Sequence, residues 1–267
     1  MIGTTVTIGD IPVRLWSRDR SFSRLVRKRY ANFVRSCSSD SAELIISLSP
    51  GHSPQADQEL KVFYRDGTWY IQRGDFSAEW DMLSRRGTVS QPRSPYALDS
   101  LLRILHTLIL AQQGGFLLHA ASIIRHGRAF IFAGQSGAGK TTMCRLAPPD
   151  SVLLSDEISF VRPAAFGYYA FGTPFYGELA VPGKNTSAPL SAVYLLEHAT
   201  ENQIEELPSR LALTQFLRNV LLFAHDPETV GQVFSSALQL ISRVPVRRLR
   251  FAPTPRVWET LEQVVCS

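Results

Sequence analysis

The sequence predicts a mixed α/β fold: a mixed β-sheet built around a phosphate-binding loop, preceded by a small α+β region. Three observations predict it. An apolar strand, Ala129–Ala133, runs directly into GQSGAGKT at Gly134–Thr141. Short β-rich segments outnumber the helices that could link them in parallel, which argues against a regular doubly wound sheet. Two dipeptides, Asp66-Gly67 and His126-Gly127, sit between apolar runs as hairpin turns.

The elements follow in order. A strand is expected near Thr5–Leu15. A helix follows over Ser21–Ser36, where Phe22, Leu25, Val26, Phe33 and Val34 recur at helical spacing. AELIISLSP (Ala42–Pro50) reads as a strand and GHSPQADQE as a polar loop. LKVFYRDGTWYIQR alternates about Asp66-Gly67 as a hairpin. The turn-rich SQPRSP, Ser90–Pro95, marks a domain boundary. It separates an accessory α+β region at 1–95 from a second domain at 96–267. Tyr96–Gln113 is helical, started by Asp99 or by the preceding Ser/Pro. FLLHAASII and RAFIFAG are adjacent strands. VLLSDEISFV, YYAFGTPF and LSAVYLLEH are further strands, rich in β-formers. Pro208–Ala224 and Val230–Ile241 are helical, VRRLRFAP is a strand, and Thr254–Val264 is a last helix.

Composition removes several function classes. The 267 residues are 45% hydrophobic and 10% aromatic, with no heptad or short repeat, so disorder and coiled coil are excluded. Cys37, Cys144 and Cys266 are scattered and offer no C-x-x-C, which argues against a disulfide framework or a zinc site. Ile104–Ile124 carries no Asp, Glu, Lys or Arg, yet Gly114-Gly115 would break a membrane helix in its middle. A buried helix followed by a buried strand is expected there, and no membrane partner. The opening residues lack an apolar signal region, so a cytoplasmic, reducing location is expected. Basic residues exceed acidic ones by 28 to 23. The run RLVRKRYANFVR, Arg24–Arg35, reads as the basic solvated face of an amphipathic helix, not as a nucleic-acid site.

The chemistry concentrates after Ala133. GQSGAGKT matches G-x-x-x-x-G-K-[ST] at every fixed position, after a strand and before a short helix. Gly134, Gly137 and Gly139 let backbone N–H groups turn inward. The segment Gly134, Gln135, Ser136, Gly137, Ala138, Gly139, Lys140, Thr141 and Thr142 is therefore the candidate nucleotide-binding set, helped by the positive end of the helix. Lys140, one of only four lysines, is placed to reach the β and γ phosphates, and the Thr141 hydroxyl to ligate Mg²⁺. Pro148-Pro149 stop the helix, and VLLSDE returns at once, ending in Asp156 and Glu157. Two carboxylates so soon after Lys140 suit metal binding and acceptance of a proton from an alcohol.

GQSGAGKTTMCRLAPPDSVLLSDEIS resembles the phosphate loop and acidic motif of the phosphoenolpyruvate carboxykinase-like superfamily, and particularly HPr serine kinase/phosphorylase. The segments FGTPFYGE, NTSAPLSAVYLLE and VPVRRLRFAP look like parts of small bacterial HPr kinase-related proteins found beside peptide-modification genes, including kinases of lasso-peptide pathways. The resemblance implies a P-loop core of that type and an ATP- and Mg²⁺-dependent kinase acting on a serine or other hydroxyl of a peptide or small protein. It implies catalytic roles for Lys140, for Asp156 as general base and for His119 on the preceding strand, with Thr141 and Glu157 at the metal. Asp156-Glu157 stands where HPr kinase has Asp-Asp. Glu178 is the nearest equal of the Glu-Ile-Arg-Gly signature, without its Arg, so neither phosphorolysis nor HPr as the acceptor follows from the resemblance, and both stay open. Thr173, Tyr176 and Asn185 are candidate substrate neighbours. Arg243, Arg247 and Arg248 are expected at the surface, with one of them able to approach the nucleotide. A homo-oligomer stays open. So does a second reading, a nucleotide-binding regulator without phosphotransfer.

Overall fold

A computed structural model describes residues 1–36, 40–49 and 59–265. Most of the expected GHSPQADQE loop lies outside the described residues, as do Pro50, Cys37 and Cys266. The chain is mixed α/β, with two large mixed sheets and six α-helices among the described residues. It divides into two compact units, 1–109 with 222–230, and 110–221 with 231–267.

The first unit opens with a hairpin, β1 (Ile2–Ile8) and β2 (Ile11–Ser17), and not with the single strand expected near Thr5–Leu15. Gly9 and Asp10 both adopt positive φ, 58° and 61°, the conformation of a two-residue turn whose twist matches its strands. The helix expected over Ser21–Ser36 is shorter. It is α1 (Arg20–Arg29), capped by Asp19, whose side chain accepts from the Phe22 N–H at 2.7 Å. A 3₁₀ turn, Ala31–Phe33, and a two-residue strand, β3 (Val34–Arg35), follow. Next come β4 (Ala42–Leu48), β5 (Lys61–Arg65), β6 (Thr68–Arg73), β7 (Phe76–Asp81) and β8 (Arg86–Gln91). The Asp66-Gly67 hairpin joins β5 to β6 as read from the sequence.

The strand order is β3-β1-β2-β4-β8-β7-β6-β5, with β2, β4 and β8 mutually parallel. Helix α2 (Pro95–Gln112) begins at Pro95, so Asp99 lies inside it. There the buried Asp99 carboxylate accepts from Arg29 at 2.7 Å and from the Tyr30 hydroxyl, tying the end of α1 to α2. Burial, and then the Asp99 charge, push the Tyr30 hydroxyl well above its ordinary range.

The second unit holds β9 (Phe116–Arg125), β10 (Arg128–Ala133), α3 (Lys140–Arg145), β11 (Val152–Ser155), β12 (Ile158–Ala164), β13 (Gly167–Phe171) and β14 (Ser187–His198). After these come β15 (Gln203–Glu206), α4 (Ser209–Leu217), α5 (Pro227–Ile241), β16 (Val246–Phe251) and α6 (Arg256–Val265). The glycines after α2 do end a buried helix before a buried strand, as expected. The β9–β10 hairpin turns at His126 and Gly127, both at positive φ. VLLSDEISFV is not one strand: it breaks at Asp156-Glu157 into β11 and β12, both paired with β9. The Ser155 hydroxyl causes the break locally, accepting from the Glu157 and Ile158 N–H groups at 3.2 and 2.9 Å.

Strand β10 is central, antiparallel to β9 and parallel to β14. Pairings through β12 and β13 return to β14, so the sheet closes on itself, and β16 and β15 extend it beyond β14. On one face Phe132, Tyr194, Met143, Phe251 and Trp258 form a shared core. Phe132 meets Trp258 edge-on at 5.5 Å. Removing that indole would cost about 3–5 kcal/mol, since cavity formation adds to lost transfer energy.

Candidate functional site

The site is built where β10 ends. Residues 134–139 loop from β10 into α3, with Gly137 at φ 81° and Gly139 at φ 100°. Gly139 is required twice over. Its φ lies in the left-handed region, and a Cβ there would stand 2.5 Å from the Phe251 ring. Such alternation of backbone conformation turns N–H groups into one concavity, which is an anion-binding geometry. Helix α3 has only six residues, so the loop amides outweigh any helix dipole.

Lys140 is buried at the base of the loop. Its ammonium donates to the Gly134 and Gln135 carbonyls at 2.9 and 3.0 Å. Burial lowers its pKa, and the negative charges of Glu157 and Glu178 act the other way. Both acids are therefore near enough to act on this ammonium's charge. Gln135, Ser136 and Gly137 are exposed at the loop's crest, while Ala138, Thr141 and Thr142 are half-buried.

His119 is placed by register. Ala133 pairs with Ala120, so His119 is one step beyond, level with the first residue of the loop. On its other side it pairs with Ile158, next to Glu157, whose carbonyl accepts the Ala120 N–H at 2.9 Å. The fold thus brings His119, the loop and the acidic pair to one end of β9 and β10.

Asp156 is buried, 3% exposed, and both its oxygens are engaged. Oδ1 accepts from the Gly177 N–H and Oδ2 from the Leu179 N–H, each at 2.9 Å. The carboxylate clamps the turn that carries Glu178. Gly177 sits so close that a Cβ would lie 3.2 Å from the Glu157 Cβ. Glu178 itself is exposed, 3.8 Å from Arg145 on α3. Asp156 also lies near Cys144, whose thiol is pushed up to about 12 by burial first and then by the Asp156 charge.

Other expectations are corrected. Thr173 does not border a substrate: it is fully buried, its hydroxyl donating to the Ile158 carbonyl at 2.8 Å, and it pins the segment after β13. Arg247 and Arg248 belong to an ionic ladder with Glu206, Glu205 and Glu197 across β15, β16 and β14. Arg243 is exposed. The sequence reading missed His198. It ends β14, stacks on Phe251 at 5.4 Å between ring centres, and its Nε2 lies 2.8 Å from the Gly137 carbonyl. Its position at the carboxyl end of the strand parallel to β10 was the available signal.

As donors for a metal, the Thr141 hydroxyl and Glu157 carboxylate are hard oxygen ligands of the kind that suit Mg²⁺. Among the described residues no three His, Cys, Asp or Glu side chains converge on a metal position. A Mg²⁺ shared with phosphates needs only one or two protein carboxylates, so the donor set fits.

Residues 96–266 match the model of the family described as SynChlorMet cassette protein ScmC, well over half of the chain. The chain belongs to the ScmC family. It matches no curated protein. The matched span takes in α2 from its second residue, the whole glycine loop, both acids and all strands from β9 onward. ScmC membership therefore covers every residue of this site.

Proposed function

We propose that this chain is an ATP-dependent kinase of the HPr kinase-like type, passing the γ-phosphoryl group to a hydroxyl on a peptide or small protein. The observation that carries the reading is the buried Lys140 ammonium at the base of the glycine loop, held to the Gly134 and Gln135 carbonyls, with Glu157 and Glu178 near enough to act on its charge. Loop amides would cradle the β and γ phosphates, and Lys140 would exchange its two carbonyl partners for phosphate oxygens. Thr141 and Glu157 would hold Mg²⁺, which supplies charge neutralisation between the phosphates. His119, level with the loop, and Asp156 would orient the acceptor hydroxyl and take its proton late in the transfer.

One observation favours the second reading, a nucleotide-binding regulator. Both Asp156 oxygens already accept backbone amides, and a regulator needs that anchored turn but no base. Incubation with γ-labelled ATP, Mg²⁺ and a library of hydroxyl-bearing peptides decides between the two. Label transfer by the parent, abolished in Lys140→Ala together with about 10²-fold of ATP affinity, is the expected result. Tight ATP binding with no transfer to any peptide would favour the regulator. A Lys140→Ala protein that binds ATP like the parent would remove the phosphate-loop assignment itself.

A further inference from the structure

A cleft of about 1350 Å³ lies wholly within the first unit, at the carboxyl ends of the parallel strands β2, β4 and β8. Small-molecule pockets run to roughly 300–1,000 Å³, so this volume suits a stretch of polymer better than a metabolite. Three large apolar side chains stand out of its walls, Met1 at 63% exposure, Ile45 of β4 at 39% and Tyr96 of α2 at 73%. Side chains of that size are left in water together mainly where something covers them.

The charges are arranged unevenly. Arg93 is joined to Asp19 and donates to the Ser21 hydroxyl at 2.7 Å. Arg73 grips Asp75 through two bonds of 2.6 and 2.7 Å and donates to Ser100 at 3.2 Å. Those two pairs are neutral as they stand. Arg18, exposed on the same wall, pairs with no carboxylate among the described residues. A nucleic-acid backbone would need several unpaired cations and would meet Asp19 and Asp75 as repulsion. A single unpaired guanidinium beside apolar side chains asks for one carboxylate next to one apolar group.

We infer that this cleft binds an extended polypeptide segment bearing an acidic side chain beside an apolar one. Arg18 takes the carboxylate, and Ile45 and Tyr96 cover the apolar side chain. Binding needs no nucleotide and no residue of the phosphate-type loop, so it stands whether or not the kinase reading does.

The test is selection of a phage-displayed random peptide library on the full chain without nucleotide. Recovered peptides, made synthetically, are then measured by fluorescence anisotropy. The expected result is enrichment of Asp or Glu next to aromatic or aliphatic residues. Affinity should fall about tenfold for Arg18→Glu and several-fold for Tyr96→Ala. Arg128→Glu, an exposed charge change in the second unit, should bind like the parent. Arg18 and Tyr96 are both exposed, so the variants keep the fold, which circular dichroism checks. Failure to recover peptides, recovery of basic ones, or peptides indifferent to both substitutions would overturn the inference. Because ATP is absent throughout, none of those outcomes bears on phosphotransfer.

Discussion

Replacing Asp156 by Asn separates anchoring from chemistry. In the parent, two backbone amides, of Gly177 and Leu179, each donate at 2.9 Å to a buried charged carboxylate. Bonds to a charged acceptor contribute about 1.5–3 kcal/mol each. Asn keeps one oxygen, so one amide retains a weaker, neutral acceptor, while the other meets an N–H₂ group and goes unsatisfied. The expected cost is about 2–4 kcal/mol, concentrated in the turn bearing Glu178. Hydrogen exchange reads it residue by residue. One of the two amides should exchange about 30-fold faster or more, as a loss of ~2 kcal/mol requires. Phosphotransfer to an acceptor peptide should fall by about 10²–10⁴, with ATP affinity changed only a few-fold. An Asn variant with parental exchange at both amides and parental transfer would refute the clamp and the catalytic role together.

Three further outcomes are expected. His106 is buried in α2 beside the Leu102 carbonyl, and burial lowers its pKa from 6.5 to about 4. Above pH 6.5 neither state is protonated and nothing is lost. As the pH falls through 6.5 the unfolded chain takes up a proton that the folded one refuses until about 4. Urea melts of the parent should therefore lose about 2 kcal/mol by pH 5 relative to His106→Leu, and equal losses in both proteins would refute the assignment. Cys144, with its thiol near 12, should alkylate at pH 8 about 10³-fold more slowly than an ordinary thiol, as mass mapping of that peptide would show. Asp156→Asn should speed the same reaction by removing the nearby negative charge, so an unchanged rate would argue against their proximity.

Much of the fold was written locally. The two hairpins at Asp66-Gly67 and His126-Gly127, the helix ending before Gly114, and the strand–loop–helix at Gly134–Thr141 all depend on residues adjacent in sequence. Positive φ, missing donors and apolar alternation act over a few positions, so composition within a short window suffices. The Gly9-Asp10 turn carried the same chemistry and was legible in principle. Strands β8 and β15 were not read because each carries a single large apolar residue, Val89 and Ile204, too few to make an alternation. Strand β7 does alternate, with Phe76, Ala78 and Trp80 buried, and was legible in principle.

The sequence by itself determined the mixed α/β class, the glycine loop with its lysine, and the acidic pair that follows. Tertiary structure alone decided what each of those groups touches. Asp156 and Glu157 are neighbours in the chain, yet one is buried under the amides of Gly177 and Leu179 and the other lies near enough to Lys140 to act on its charge. That split comes from the Ser155 kink, which turns successive side chains to different surroundings. His119 reaches the loop through strand register, and His198 through the end of a parallel strand 61 residues from its Gly137 partner. Such pairings are set by hydrogen-bond ladders between distant segments, and no local pattern encodes which segments will meet.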